Sequence, residues 1–165
     1  MYCAYGAEAR IILDISLVLK MKSVKRSALV PYLASQMYPL VTDVDRYAEF
    51  LPWCGGTEIL EESEGFCVAR VDIDYRGIKK SFVTENSNTQ DKRIEMHLRE
   101  GPFKHLEGVW TFDPIGIIGS RISLDLEFEF SGIVVERILG AVFDSIATTM
   151  VDSFVKRAEA TLGES

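Results

Sequence analysis

Strict alternation of apolar and polar residues is the clearest pattern along the chain. Between Arg121 and Phe130 every second side chain is apolar and its neighbours are polar or charged. The same pattern occupies residues 67–75, 94–98 and 106–112. A strand with one apolar and one polar face is typical of an antiparallel sheet that covers a core on one side.

Three shorter stretches complete a predicted set of seven strands, at residues 23–30, 57–62 and 80–85. Gly108 lies inside an apolar row, and we expect a bend or bulge there because glycine weakens a regular strand. Residues rich in Gly, Asn and Pro separate the strands and predict an up-and-down meander, with turns at 64–65, 76–77, 86–91, 101–102 and 114–119.

Helical periodicity appears in two regions. Two short segments between residues 35 and 50 precede Pro52, and a long one covers residues 132–162. The long segment repeats apolar residues every three or four positions, at Val135, Leu139, Val142, Ile146, Met150, Phe154 and Ala158. The sequence therefore predicts an α+β fold in which a curved seven-stranded antiparallel sheet grips a C-terminal helix about 45 Å long. The element order is strand, two short helices, six strands, long helix.

A sheet of this width is not filled by one helix, which is about 10–12 Å across. We therefore expect an apolar cavity between the sheet and the long helix. Each candidate side chain could equally serve plain core packing. The candidates for the lining are Trp53, Phe82, Met96, Leu98, Phe103, Trp110, Phe128, Phe143, Ile146 and Met150.

Composition and charge narrow the class of protein. The chain has 165 residues, 47% of them hydrophobic and 26% charged, which fits one globular domain. The net charge of −7 disfavours DNA and leaves RNA contact only to local basic patches. Cys3, Cys54 and Cys67 lack metal-ligand spacing and are interpreted as reduced thiols in a cytoplasmic protein.

Residues 1–20 are interpreted separately from the domain at 21–163. Asp14 interrupts the apolar run at residues 11–19, and that run is shorter than the roughly 20 residues a membrane span needs. No cleavage pattern for a signal peptide follows it. We expect this segment to be an upstream in-frame extension or a loosely attached arm.

Catalytic chemistry has little support in the sequence. His97 and His105 are the only histidines, and both fall on the predicted polar face of their strands. The chain contains no paired-carboxylate spacing, glycine-rich phosphate loop, HExxH or GxSxG motif. We expect a binding protein without a metal or catalytic residues, and not an enzyme.

Four stretches in order carry a resemblance to a known family. They are residues 27–32 (SALVPY), 37–44 (MYPLVTDV), 47–54 (YAEFLPWC) and 101–104 (GPFK), the last followed by alternating apolar residues to 112. Over residues 22–162 the chain resembles the START-like, helix-grip superfamily of birch-pollen allergen and the polyketide cyclases. Within it, the sequence is similar to the RatA family of ribosome-association toxins and to the mitochondrial ubiquinone-binding START proteins.

The resemblance implies first a hydrophobic-ligand protein that binds ubiquinone or another isoprenoid lipid and supports respiration as a quinone chaperone. Ubiquinone is then a bound ligand and not a cofactor. The head of the ligand is expected near a mouth formed by Phe50 to Cys54, which includes Pro52, and by Gly101 to Lys104. Lys104 is predicted to lie at that mouth, with a surface salt bridge as its alternative role. Brief contact with the inner membrane surface would accompany this role.

The resemblance also implies an alternative, a toxin that binds the large ribosomal subunit, blocks subunit joining in translation initiation and pairs with the ubiquitin-like antitoxin RatB. Basic residues in two places are interpreted either as local sites for RNA phosphates or as ordinary solvated surface. The two groups are Lys20, Lys22, Lys25 and Arg26, and Arg76, Lys79 and Lys80. A polyketide cyclase-like enzyme is the third reading.

Overall fold

The computed structural model describes residues 21–163, so the predicted extension at 1–20 lies outside the described residues. The predicted α+β order is confirmed: one strand, short helices, six strands and a long helix. The elements are β1 (Lys22–Val30), α1 (Ala34–Thr42), a 3₁₀ turn (Val44–Arg46), α2 (Tyr47–Phe50), β2 (Cys54–Ser63), β3 (Phe66–Tyr75), β4 (Ile78–Thr89), β5 (Arg93–Glu100), β6 (Phe103–Ile115), β7 (Gly119–Phe130) and α3 (Ile133–Leu162).

The seven strands form one antiparallel sheet in the order β1-β7-β6-β5-β4-β3-β2. Strands β2 to β7 form a meander, and β1 joins it beside β7, with Val24 opposite Leu126. The apolar row predicted along β7 faces the core, and Ile122, Leu124 and Phe128 are buried there. β1 and β2 are therefore the two edges of the sheet.

Two local predictions are wrong. β4 continues to Thr89, so most of the predicted turn at residues 86–91 is strand. Pairing on both sides explains this, because β4 bonds to β3 as far as Ser87 and to β5 as far as Thr89. The bulge expected at Gly108 is also absent, since the register runs through Gly108 and the irregularity lies between Phe103 and His105.

The helix α3 packs against β1 and β7 and contacts α1. Its buried face includes Leu139, Phe143, Ala147 and Phe154. At the end of the sheet nearest the start of α3, aromatic rings fill the core, with Phe128 and Phe143 4.7 Å apart between ring centroids. The short helical segments pack elsewhere on the sheet: α1 contacts β6 and β7, while the 3₁₀ turn and α2 contact β2.

Among the described residues, α3 is the one helix long and apolar enough to cross a bilayer by length and composition. The core helix of a globular protein passes the same test, and α3 buries much of its apolar surface against the sheet. In its first turns Ile133, Val134 and Ile138 remain exposed.

A cavity between the sheet and the long helix

An internal cavity of about 80 Å³ lies between the inner face of the sheet and α3. Strands β3 to β7 form its floor and α3 its roof, while Val44 and Tyr47 close one side. Of the side chains predicted from the sequence, the lining includes Trp53, Phe82, Met96, Trp110, Phe143, Ile146 and Met150. That these residues touch a ligand stays a prediction.

Three predicted apolar residues lie outside this lining. Phe103 and Phe128 are buried in the aromatic cluster, where the Phe103 ring stacks on Phe130 at a centroid distance of 5.4 Å. Leu98 is half-buried and packs against the core. The alternation along each strand identifies the inward face, but it does not show which inward residues meet a neighbour and which meet empty space.

The residues expected at the mouth have different environments, and the mouth itself stays a prediction. The Phe50 ring packs on Phe154 at 5.2 Å between centroids, and Pro52 is exposed. The Lys104 side chain is 61% exposed, with its Nζ atom 3.7 Å from Glu129 Oε1. Because Lys104 lies on the polar face of β6, its charge does not line the cavity.

Small side chains make the space available. Ala69 and Ala147 are fully buried and line the cavity. A β-carbon added to Gly108 would lie 2.5 Å from Met96 Cε and 3.0 Å from Leu126 Cδ1. Sequence reasoning missed these positions because small residues add little to an apolar pattern. The spacing of Phe143, Ala147, Met150 and Phe154 was the available signal, since it places them on one helix face.

Sequence reasoning also missed other lining residues on the sheet, on α3 and in the short helical segments. They are Val44, Tyr47, Val71, Thr84, Asn86, Leu106, Leu124, Leu126 and Phe154.

The lining is apolar with a few uncharged polar groups. None of the described residues that line it is charged, and its polar side chains are Tyr47, Thr84, Asn86 and the indole of Trp53. The Tyr47 hydroxyl donates a hydrogen bond to the Val41 carbonyl. Burial raises the pKa of Tyr47 well above its usual value, so the phenol is neutral at physiological pH. The cavity therefore suits a ligand without charge.

A second, smaller cavity of about 20 Å³ adjoins the first and shares Tyr47, Asn86, Met96 and Trp110 with it. A space of this size holds about one water molecule. It adds Cys67 to the lining, and burial raises the pKa of the Cys67 thiol. The end of the cavity near Asn86 is thus more polar than the rest.

The arrangement offers little for catalysis or metal binding. Within residues 21–163, no group of three or more His, Cys, Asp or Glu side chains is placed to hold a metal ion. His97 and His105 lie on the outer face, with Nδ1 of His97 3.5 Å from Glu107. What the site provides is an enclosed apolar space with uncharged hydrogen-bonding groups.

Comparison with known proteins agrees with this architecture. The family model described as "Polyketide cyclase / dehydrase and lipid transport" matches residues 30–155. The ribosome association toxin RatA of Vibrio cholerae is 46% identical over 144 residues, which cover 87% of this chain and all of that protein. A mitochondrial coenzyme Q-binding protein homolog of Xenopus laevis is 29% identical over 80% of this chain and 56% of its own length.

Among solved structures, an aromatase/cyclase from Streptomyces sp. R1128 superposes with a TM-score of 0.77 at 20% sequence identity, covering 86% of this chain and 96% of that one. At this identity the likeness shows the shared fold alone. The family match and the RatA match both span most of the chain. The chain therefore belongs to the polyketide cyclase/dehydrase and lipid transport family, and within it to the group of RatA-named proteins.

Proposed function

We propose that the protein binds a neutral amphipathic lipid, an isoprenoid quinone of the ubiquinone type, in the cavity under α3. The observation that carries this proposal is an enclosed apolar space with only uncharged polar groups in its lining. Small hydrophobic ligands bind in pockets of this composition. The printed name of the Xenopus relative, a coenzyme Q-binding protein, supports a quinone. The protein would then carry quinone for respiration.

The cavity must widen when the ligand enters. Its volume of about 80 Å³ is smaller than the roughly 150 Å³ of an engineered cavity that holds benzene. Met96 and Met150 are half-exposed lining residues, and methionine side chains adapt readily to a new neighbour. We therefore expect these two side chains to move aside for a quinone ring.

Lipid extraction followed by mass spectrometry of protein purified from its own host tests the proposal, together with titration of ubiquinone-1. We expect quinone to co-purify and ubiquinone-1 to bind. The variant Ala147→Leu fills part of the cavity, so we expect ubiquinone-1 to bind roughly tenfold more weakly, or about 1.4 kcal/mol. Overpacking should also lower the free energy of unfolding by about 1–3 kcal/mol. Ala141→Leu on the exposed face of α3 is the matched control. An empty protein that does not bind ubiquinone-1 would end the proposal.

A second candidate function is association with the large ribosomal subunit and inhibition of subunit joining. The match to a RatA-named toxin over 87% of the chain favours it. Lys25 and Arg26 are exposed on the edge strand β1, and Lys80 is exposed on β4. Exposed cations of this kind suit RNA phosphates. The two functions are compatible because one uses the interior and the other the surface.

Sucrose-gradient profiles with added purified protein test the ribosome function. We expect fewer joined ribosomes with the wild type and recovery of joining with the double change Lys25→Glu and Arg26→Glu. Lys156→Glu, an exposed position on α3, is the control. Profiles that the wild-type protein leaves unchanged would rule the function out.

Membrane contact, pairing with an antitoxin and a cytoplasmic location stay predictions.

Binding is proposed in preference to a cyclase reaction. Among the described residues that line the larger cavity, Tyr47 is the one ionisable group, and its hydroxyl already donates to a backbone carbonyl. General acid–base catalysis needs a group that exchanges protons near neutral pH. Recovery of the bound ligand chemically unchanged after long incubation is the expected result.

A further inference from the structure

The inward face of β4 is polar where a core strand is normally apolar. Thr84 and Asn86 point inward from this central strand, and they are 6% and 9% exposed. Asparagine is depleted in strands, and burying its amide without partners costs free energy. Valine or isoleucine would pack better at both positions. Packing alone therefore does not account for these two residues.

Hydrogen-bonding groups at this place lack partners. Asn86 Oδ1 is buried without a hydrogen bond, and so is Trp53 Nε1. Trp53 as a whole is only 5% exposed. Thr84 also makes no side-chain hydrogen bond to another described residue. Each buried polar group left unpaired costs about 1–3 kcal/mol, and such groups are rare in folded proteins. Thr84 and Asn86 are neighbours on the inward face of β4 and both line the larger cavity, so a missing partner for them belongs there. Trp53 lines the same cavity near its other end, because the adjacent Cys54 pairs with Ile73, which lies opposite Lys80.

The chemistry of these groups defines the partner. An amide and a hydroxyl each donate and accept hydrogen bonds, and an indole N–H only donates. A carbonyl oxygen can accept from the Asn86 amide or the Thr84 hydroxyl, and a ligand hydroxyl can donate to Asn86 Oδ1. None of the described side chains lining either cavity is charged, so a carboxylate or phosphate would be buried without a counter-ion.

We propose that Thr84 and Asn86 form a head-group site that binds the neutral, oxygen-bearing ring of the ligand, while the tail runs along β4 toward Phe82 and Trp53. Asn86 and Phe82 are four residues apart on one strand, a distance of about 13 Å. This inference rests on the proposed lipid-binding function. It places the head on β4, whereas the earlier expectation was a mouth formed by Phe50 to Cys54 and Gly101 to Lys104. Because the amide works in both directions, the site accepts the quinone and the quinol.

The variant Asn86→Leu tests the site, because leucine has a similar size and no hydrogen-bonding group. We expect its affinity for ubiquinone-1 to fall about tenfold, the worth of one hydrogen bond. Its affinity for farnesene, an isoprenoid hydrocarbon without oxygen, should stay the same. The melting temperature should hold or rise, because an unpaired buried amide is removed. Ser87→Leu changes the next residue, which is exposed on the other face, and should alter neither affinity.

Thr84→Val, which has nearly the same shape, is the second variant, and it should weaken ubiquinone-1 binding in the same selective way. Equal ubiquinone-1 affinities for wild type, Asn86→Leu and Thr84→Val would overturn the head-group site and leave the lipid-binding function standing. A parallel loss of ubiquinone-1 and farnesene would also overturn it, because it would indicate general damage to the cavity. Failure of the wild type to bind ubiquinone-1 would overturn both proposals.

Discussion

Gly108 on β6 leaves the space that the end of the Met96 side chain occupies. The sequence placed a glycine in an apolar row, and a bulge was the ordinary interpretation. The structure shows a regular register there and a close contact across the sheet instead. This contact depends on which residue of β5 lies opposite Gly108, and the register between two strands is not visible in either strand alone.

Gly108→Ala should lower ligand affinity with little loss of stability. The added β-carbon would lie 2.5 Å from Met96 Cε, the free end of a flexible side chain, so Met96 should swing into the cavity. We expect ubiquinone-1 to bind several-fold more weakly, while the melting temperature changes by only a few degrees. Gly56→Ala on β2, where a β-carbon meets only Asp72 Oδ2 at 3.4 Å, is the control. Unchanged affinity in Gly108→Ala would contradict this account of the space.

At the scale of elements, α3 and β4 show what the sequence could and could not predict. The apolar period of α3 persists for its whole length, so residues 132–162 were predicted within one residue of Ile133–Leu162. The sequence predicts a turn in the second half of β4 because asparagine favours turns. Pairing with β3 and β5 overrides that local preference. The head-group site was missed for the same reason, since Asn86 was assigned to a turn.

One arginine of α3 adds to the ring contacts that Tyr47 and Phe50 of α2 make with Phe154. Arg157 Nη2 lies 2.6 Å from Glu49 Oε2, and its guanidinium lies 4.9 Å from the Phe50 ring centroid. Together these two contacts stabilise the packing of α2 against α3 by about 1 kcal/mol. Arg157 is only 19% exposed, whereas Glu49 is 51% exposed, so the pair is partly screened by water.

Arg157→Met should therefore loosen α2 without unfolding the sheet. We expect faster amide hydrogen exchange in Tyr47–Phe50, by up to about fivefold, and unchanged exchange in the central strands. Lys156→Met, at the exposed neighbouring position, should leave α2 as it is. Exchange that rises equally in every element would show that the arginine supports the whole fold and not α2 in particular.

At the scale of the whole molecule, buried acids link stability to pH. Burial raises the pKa of the Cys54 and Cys67 thiols and of the Tyr38 and Tyr47 phenols. Their ordinary values are 9.0 for a thiol and 10.0 for a phenol. The folded state thus holds these protons more tightly than the unfolded state. The contribution of these groups to the free energy of unfolding is complete below the ordinary pKa values. It decreases as the pH rises through them, because the unfolded state then loses its protons first.

Urea unfolding between pH 7 and 10.5 should show this dependence. We expect a constant free energy of unfolding up to about pH 8, and a progressive decrease above about pH 9. In the double variant Cys54→Ala and Cys67→Ala the decrease should begin later, in the range where tyrosines ionise. A curve that is flat to pH 10.5, or one that the double variant leaves unaltered, would contradict the assignment to these groups.

Within residues 21–163, β1 and β2 each pair with one strand only, and these two edges bear on how the protein behaves at high concentration. An unpaired edge strand is a template on which another molecule can add its own strand, which leads to aggregates. β1 carries Lys25 and Arg26 along its edge, and the register of β2 shifts between Cys54 and Gly56 and between Ile59 and Glu61. Charge on one edge and irregular spacing on the other both oppose such growth. We therefore expect the basic residues proposed above for RNA contact to oppose pairing between copies of the chain as well.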